Sequence, residues 1–193
     1  VRGTRNEVVL RFNRRPTPLS RRADASRNFD ALLAAGRQAF ADHGPQASLD
    51  EIARRSGVSI ATLYRNFPTR EDLVEEVHRE EVEQLCQAAE GLAEREPWDA
   101  LETWLHRFTG YLATKLALAD GLNKASSNFQ ACRKAMREAG APLLARAQRA
   151  GAATPEPAID DVLRLVAGVS AVAYVDEDQR ERVLRLALAG LRA

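Results

Sequence analysis

Five polar residues, Ser59, Thr62, Tyr64, Arg65 and Asn66, fall within eight positions of the stretch SLDEIARRSGVSIATLYRNFPTRED, residues 48–72. Hydroxyls, a planar amide and a guanidinium fork are the groups that match base edges in the major groove of duplex DNA. An arginine suits guanine and an asparagine amide suits adenine, while Ile60 and the small Ala61 offer apolar contact to a thymine methyl. Leu63 and Phe67, four apart in the same stretch, supply a side that can be buried. Phosphates call for cations or free amides, and Arg27, Arg70 and the helix start at Ser48 provide them. The candidate DNA contacts are therefore Arg27, Ser48, Ser59, Thr62, Tyr64, Arg65, Asn66 and Arg70. Ser48 and Thr69 also serve as simple helix caps, and Arg54 and Arg55 read as a solvated helix face.

These groups need a scaffold, and the periodicity predicts one. Phe29, Leu32, Leu33, Gly36 and Phe40 form an apolar stripe on a first helix starting near Asp24, stopped by Gly44-Pro45. Ser48 with Glu51 reads as a capping box opening a second helix, and Gly57 supplies its turn. A third helix starts at Ser59, and Thr69 caps a long fourth one from Arg70 to about Arg95. Two helices joined by a tight turn, the second with one face buried and one polar, have the anatomy of a helix-turn-helix. Helical spacing continues behind it. Leu101, Trp104, Leu105, Phe108 and Leu112 follow Pro97, a loop covers Ala119–Ser127, and a long helix over about 128–150 bends at Gly140-Ala141-Pro142. After the linker GAATPEP come two last helices, over about 158–175 and 178–191. No strand alternation or internal repeat appears, so the class is all-α: a three-helix DNA-binding unit and a helical rear domain. The expected division is a flexible basic arm over 1–23, a DNA-binding domain over 24–70 and a regulatory and dimerisation domain over 71–193.

The net charge of +1 hides an uneven distribution. Residues 1–70 carry 13 Lys/Arg against 6 Asp/Glu, while residues 71–193 carry 15 against 21. A basic front and an acidic rear suggest that only the front meets a polyanion. Cys86, Cys132 and the three scattered histidines have no metal-ligand spacing, so no metal site or cofactor is expected. His78 and His106 are expected on exposed or half-buried faces. No apolar run approaches the ~18 residues that span a bilayer, and there is no leader pattern, so a soluble cytoplasmic protein is expected. An enzyme would need a nucleophile with its base, a carboxylate pair or a metal cluster. The tight acidic clusters of the rear half, Asp160-Asp161 and Asp176-Glu177-Asp178, sit where helices begin and favour the helix dipole instead. No catalytic residue is assigned.

The segment GVSIATLYRNFPTREDLVEEV resembles the signature of TetR-type transcriptional regulators: a Gly-Val-Ser turn, a Thr-Leu-Tyr core and a Phe-Pro-x-Lys/Arg-Glu exit. The likeness reaches back through LDEIARRSGVS into the first helix and covers about residues 25–80. The family usually has histidine at Asn66 and lysine at Arg70; Arg70 keeps the charge, and Asn66 bears on base preference. The rear segment LLARAQRAGAATPEPAIDDVLRLVAGV is similar, less specifically, to the ligand-domain ending of many actinobacterial members. The resemblance implies a ligand-responsive regulator, more often a repressor, that binds a palindromic operator as a homodimer through its last two helices, residues 158–191. The sequence adds support, because Leu163, Leu165, Val172 and Val175 extend the stripe of the first of these helices around its axis. An inducer would lie between rear helices, with Trp104, Phe108, Tyr111, Asn128, Phe129 and Tyr174 as the polar-tipped and aromatic candidates; Asn123 and Met136 belong to the wider set. The competing reading is a non-specific or ligand-independent DNA-binding protein.

Overall fold

The computed structural model describes residues 18–193, with side chains from residue 24 onward except at residue 45. Eight α-helices order these residues: α1 Pro18–His43, α2 Leu49–Ser56, α3 Ile60–Asn66, α4 Arg70–Glu90, α5 Pro97–Ala117, α6 Ser127–Arg149, α7 Ile159–Ser170 and α8 Glu177–Ala189. Helix α1 is already formed at Pro18, the first described residue, six residues before the expected start near Asp24. The arm expected over 1–23 thus gives way to helical backbone over 18–23, and its remainder lies outside the described residues.

Two apolar clusters organise the chain. The front cluster gathers Leu32, Leu33 and Phe40 of α1, Ile52 of α2, Leu63 and Phe67 around α3, and Leu73, Val74 and Val77 of α4. It also takes in Leu118, Leu122 and Phe129 from the end of α5, the following loop and the start of α6. The front helices are thereby packed onto the rear domain along a continuous apolar seam. The rear cluster runs from Val82 of α4 through Leu101, Trp104, Leu105 and Phe108 of α5 to Met136, Leu143 and Leu144 of α6, and ends at Val162, Val166, Leu184 and Leu188 of α7 and α8. Helix α4 belongs to both clusters; its 21 residues span roughly 30 Å at 1.5 Å each.

Several helix ends differ from the sequence expectation. Helix α4 stops at Glu90, because the chain turns over Gly91–Arg95 and Arg146 of α6 collects the freed carbonyls of Leu92 (3.1 Å), Ala93 and Arg95 (3.0 Å). Helix α6 runs through Pro142 as one element. The 151–157 linker is tied down: the Gln148 amide donates to the carbonyls of Thr154 (3.1 Å) and Pro157 (2.9 Å), and Thr154 N–H donates to Leu191 (2.9 Å). Helix α7 ends at Ser170, five residues early, leaving Val172 and Val175 exposed.

Candidate nucleic-acid interface

Helices α2 and α3 meet through Gly57, whose φ of +70° is the left-handed conformation that glycine adopts without a Cβ penalty. Val58 N–H reaches back to the Ala53 carbonyl at 3.2 Å and closes the turn. Ser59 then caps α3, its hydroxyl oxygen accepting from Thr62 N–H at 3.3 Å, which contributes about 1 kcal/mol to so short a helix. Leu63 is fully buried and Phe67 nearly so; Phe67 packs on Phe29 of α1 with ring centroids 5.2 Å apart. The opposite face is open. Tyr64 is half exposed, and Ala61, Arg65 and Asn66 are exposed, while Ile60 turns partly into the front core.

The polar groups on that open face engage one another. Ser59 hydroxyl donates to Thr62 Oγ1 (3.0 Å), Arg65 Nη2 donates to the same oxygen (3.1 Å), and the Asn66 amide donates to the Thr62 carbonyl (2.8 Å). Ser59, Arg65 and Asn66 are exposed and keep further hydrogen-bonding capacity beyond these contacts. A shallow cleft of about 230 Å³ separates α3 from the first described turns of α1 and is lined by Asp24, Asn28, Thr62, Arg65 and Asn66. Arg27 is ion-paired with Asp24, which offsets that carboxylate's charge. Asn28 therefore joins the face. Its place depends on how α1 crosses α3, which no local sequence signal encodes.

Ser48 accepts from Glu51 N–H at 3.4 Å, as a cap should. The reciprocal half of the expected capping box is not made: the Glu51 carboxylate turns to Arg55, 2.6 Å from Nη2. Arg55 also holds Asp42 of α1 at 2.7 Å, so this exposed side chain braces α2 against α1. The full capping box lies at Thr69 and Asp72, where mutual bonds of 2.9 and 3.1 Å start α4 and hold the Asp72 carboxyl below its ordinary pKa. Arg70 is half-buried and donates to the Ala47 carbonyl just ahead of α2. Besides any phosphate contact, it fixes the start of the long helix to the reader's entry.

The junction between the two clusters holds a group that sequence reasoning misplaced. His78 of α4 is 2 % exposed, not surface-facing. Its ring stacks on Phe129 (5.3 Å, 15°), and its Nε2 is 3.0 Å from the Tyr111 hydroxyl. Burial, with a smaller effect from the Lys115 charge, pushes its pKa down to about 4, so the ring is neutral at pH 7. Burial likewise raises the Tyr111 phenol, which keeps its proton. Two further ties cross this seam. Arg37 of α1 pairs with Glu80 (3.0 Å) and Glu81 of α4, and Thr114 of α5 donates to Glu81 at 3.4 Å.

Beside this junction opens a cavity of about 480 Å³ among the end of α5, the loop before α6, α6 and α7. That volume is within the range of small-ligand pockets. Of the sequence candidates, Phe129 lines this cavity, and Phe108 and Tyr111 line an adjoining cleft of about 140 Å³ together with Met136. Trp104 does not: it is fully buried in the rear core, where its indole N–H donates to the Leu85 carbonyl at 3.0 Å. Asn128 lies 3.5 Å from Glu75 of α4, Tyr174 bonds the Val169 carbonyl at 2.6 Å, and exposed Asn123 caps its own turn at Ala125 N–H. None of these three lines the cavity. Lys115, Lys124 and Arg133 do line it, and no motif or spacing singles them out. Among the described residues no cluster of His, Cys, Asp or Glu is placed to hold a metal ion, and no helix is long and apolar enough to cross a membrane.

Comparison with known proteins agrees with this architecture. A family profile described as bacterial regulatory proteins of the tetR family matches residues 32–77, which span the reader. A second, described as the C-terminal domain of SbtR-like transcriptional regulators, matches residues 96–193. Among solved structures, the chain is similar to a TetR transcriptional regulator, SCO0520, of Streptomyces coelicolor, with 38% identity, a TM-score of 0.74, and coverage of 84% of this chain and 97% of that one. It is also similar to a TetR transcription regulatory protein of Mycobacterium vanbaalenii, with 32% identity, a TM-score of 0.73, and coverage of 91% and 100%. A transcriptional regulator of Rhodococcus shares the fold at 16% identity and a TM-score of 0.66, over 85% of this chain and 95% of that one. With an exposed α3 held on a three-helix front domain, profiles matching both halves, and near full-length relatives above 30% identity, the chain belongs to the TetR family of bacterial transcriptional regulators.

Proposed function

We propose that this regulator is a ligand-responsive repressor that binds a palindromic operator as a homodimer. The observation that carries the reading is the orientation of α3: Leu63 is fully buried while Tyr64, Arg65 and Asn66 are exposed on one face. A helix so held enters a major groove, and Tyr64, Arg65, Thr62, Ser59 and Asn66 reach bases or the adjoining backbone. Arg27, Ser48 and Arg70 lie at the rim for phosphates.

Dimerisation through residues 158–191 is supported by what α7 and α8 leave uncovered. Leu165 is 38 % exposed, Val172 56 % and Leu186 72 %, all on or beside the last two helices. Large apolar side chains on neighbouring helices favour a partner surface, and a two-fold axis would set two α3 helices on successive major-groove faces. The acidic clusters are accounted for as helix starts: Asp161 accepts from Ala158 N–H (2.9 Å) and Asp176 from Gln179 N–H (2.7 Å). Capping of this kind accounts for both clusters without a reaction, and we assign the protein none. As a DNA-binding regulator it acts in the cytoplasm.

The cavity beside the seam is the site of control. Its wall includes Leu122 and Phe129, which also pack into the front cluster. A ligand that prefers one spacing of the two domains shifts the population toward that spacing, by no more than its differential affinity. Selection of fragments of the native genome by the purified protein tests the function. Enrichment of one palindrome that survives rising salt supports it. Recovery of unrelated fragments that all dissociate together as salt rises supports the non-specific alternative.

A further inference from the structure

The cavity at the seam has an unusual charge. Its apolar wall is built from Leu112, Leu122, Phe129 and Ala167 among others, yet Lys115, Lys124 and Arg133 all face it. Lys115 and Arg133 also line the adjoining cleft. Among the described residues no carboxylate lines the main cavity. Asp160 lines the adjoining cleft but lies 3.4 Å from Arg137, and Glu81 is held by Arg37 and Thr114. Lys115 is half-buried, with its ammonium 5.6 Å from the centre of the Phe129 ring. Burial first, then the charges of Arg133 and Lys124, lower its pKa. Three like charges around one open-mouthed cavity repel one another, most strongly at half-buried Lys115, and a bound anion relieves that repulsion.

We propose that this cavity binds an anion with an apolar body, the negative head held by Lys115, Lys124 and Arg133 and the body lying against Leu112, Leu122 and Phe129. This rests on the ligand-responsive reading above and adds the chemical class of the ligand. A neutral apolar molecule would leave the cations uncompensated. A purely polar anion would leave the apolar wall wet. The head competes with the Phe129 ring for the Lys115 ammonium, so occupancy acts directly on a side chain that stacks on His78 of α4, the helix both apolar clusters share.

Calorimetric titration of the full chain, without DNA, tests the proposal. The probes are decanoate, decyl phosphate, decanol and decyltrimethylammonium, which share one tail and differ in head charge. At least one of the two anions is expected to bind about tenfold or more tighter than decanol, and the cation weakest of all. Whichever of decanoate and decyl phosphate is tighter identifies the head as carboxylate or phosphate. Lys115→Met and Arg133→Gln should each weaken the anion about tenfold through loss of a charge-assisted contact. Arg133 is exposed, so its variant remains folded and carries the test even if Lys115→Met does not fold. Anions that bind no better than decanol, that fail to bind at all, or that bind both variants as tightly as the parent would overturn the proposal. A failure here leaves operator binding intact in a gel-shift assay of the ligand-free protein, whereas a wrong regulatory reading shows up in that assay.

Discussion

Gly140 sits in the middle of α6, where alanine would ordinarily stabilise a helix by about 1 kcal/mol. Here the sign should reverse. A Cβ at Gly140 would lie 2.5 and 2.7 Å from Cη2 and Cζ3 of Trp104 and 2.9 Å from Cδ1 of Ile159, well inside contact distance. The indole cannot swing away cheaply, because it is fully buried and tethered to the Leu85 carbonyl. Overpacking of this kind costs roughly 1–3 kcal/mol, so after the propensity gain Gly140→Ala should lose up to about 2 kcal/mol. Gly110, in α5, is the control: nothing lies within 4 Å of a Cβ added there. Gly110→Ala should therefore gain about 0.5–1 kcal/mol. Thermal unfolding followed by circular dichroism separates the two, at roughly 2–4 °C per kcal/mol for a chain of this length. The pair also tests the assignment of Trp104 to the core. If Gly140→Ala gained stability as Gly110→Ala should, the indole would have room to move, and its exclusion from a ligand space would be wrong.

Other outcomes follow from the same structure. His78 has a folded pKa of about 4 against ~6.5 unfolded, so its contribution is complete above pH 6.5 and fades as pH falls toward 4; at pH 5 the loss is about 2 kcal/mol. Denaturant melts at pH 7 and pH 5 should therefore converge in His78→Gln relative to the parent, and an unchanged pH dependence would contradict the buried neutral ring. Leu63→Ala removes a fully buried side chain and should cost about 2–5 kcal/mol of front-domain stability. Tyr64→Ala or Arg65→Ala should leave the melt unchanged but weaken operator binding by roughly 1–3 kcal/mol. Val172→Asp combined with Leu186→Asp should shift sedimentation from dimer to monomer; a persistent dimer would place the interface elsewhere.

The reader was legible in the sequence because its determinants are local. Gly57, the caps Ser48, Ser59 and Thr69, and the Leu63–Phe67 spacing each act within a few residues. The all-α class followed from periodicity for the same reason. What escaped depends on contacts distant in sequence. The stop of α4 at Glu90 is set by Arg146, more than fifty residues on. The burial of His78 follows from the packing of Tyr111 and Phe129 around it, and a lone histidine among Glu and Arg in a helix carries no hint of that. Ligand candidates chosen for aromatic character failed at Trp104, where the same size and apolarity make a core residue. The cations Lys115, Lys124 and Arg133 carry no such signal, because charge alone, in sequence, reads as surface.

The central claim is that α3 lies in a DNA groove, and photo-crosslinking tests it most directly. A photoreactive side chain replaces Arg65 on the exposed face of α3 or, as control, Glu94 in the exposed turn beyond the far end of α4. Irradiated with the enriched genomic fragment, the Arg65 position should attach to bases at two half-sites about one helical turn apart, and the Glu94 position to none. Crosslinks from both positions alike, or from neither while the fragment remains bound, would contradict the account.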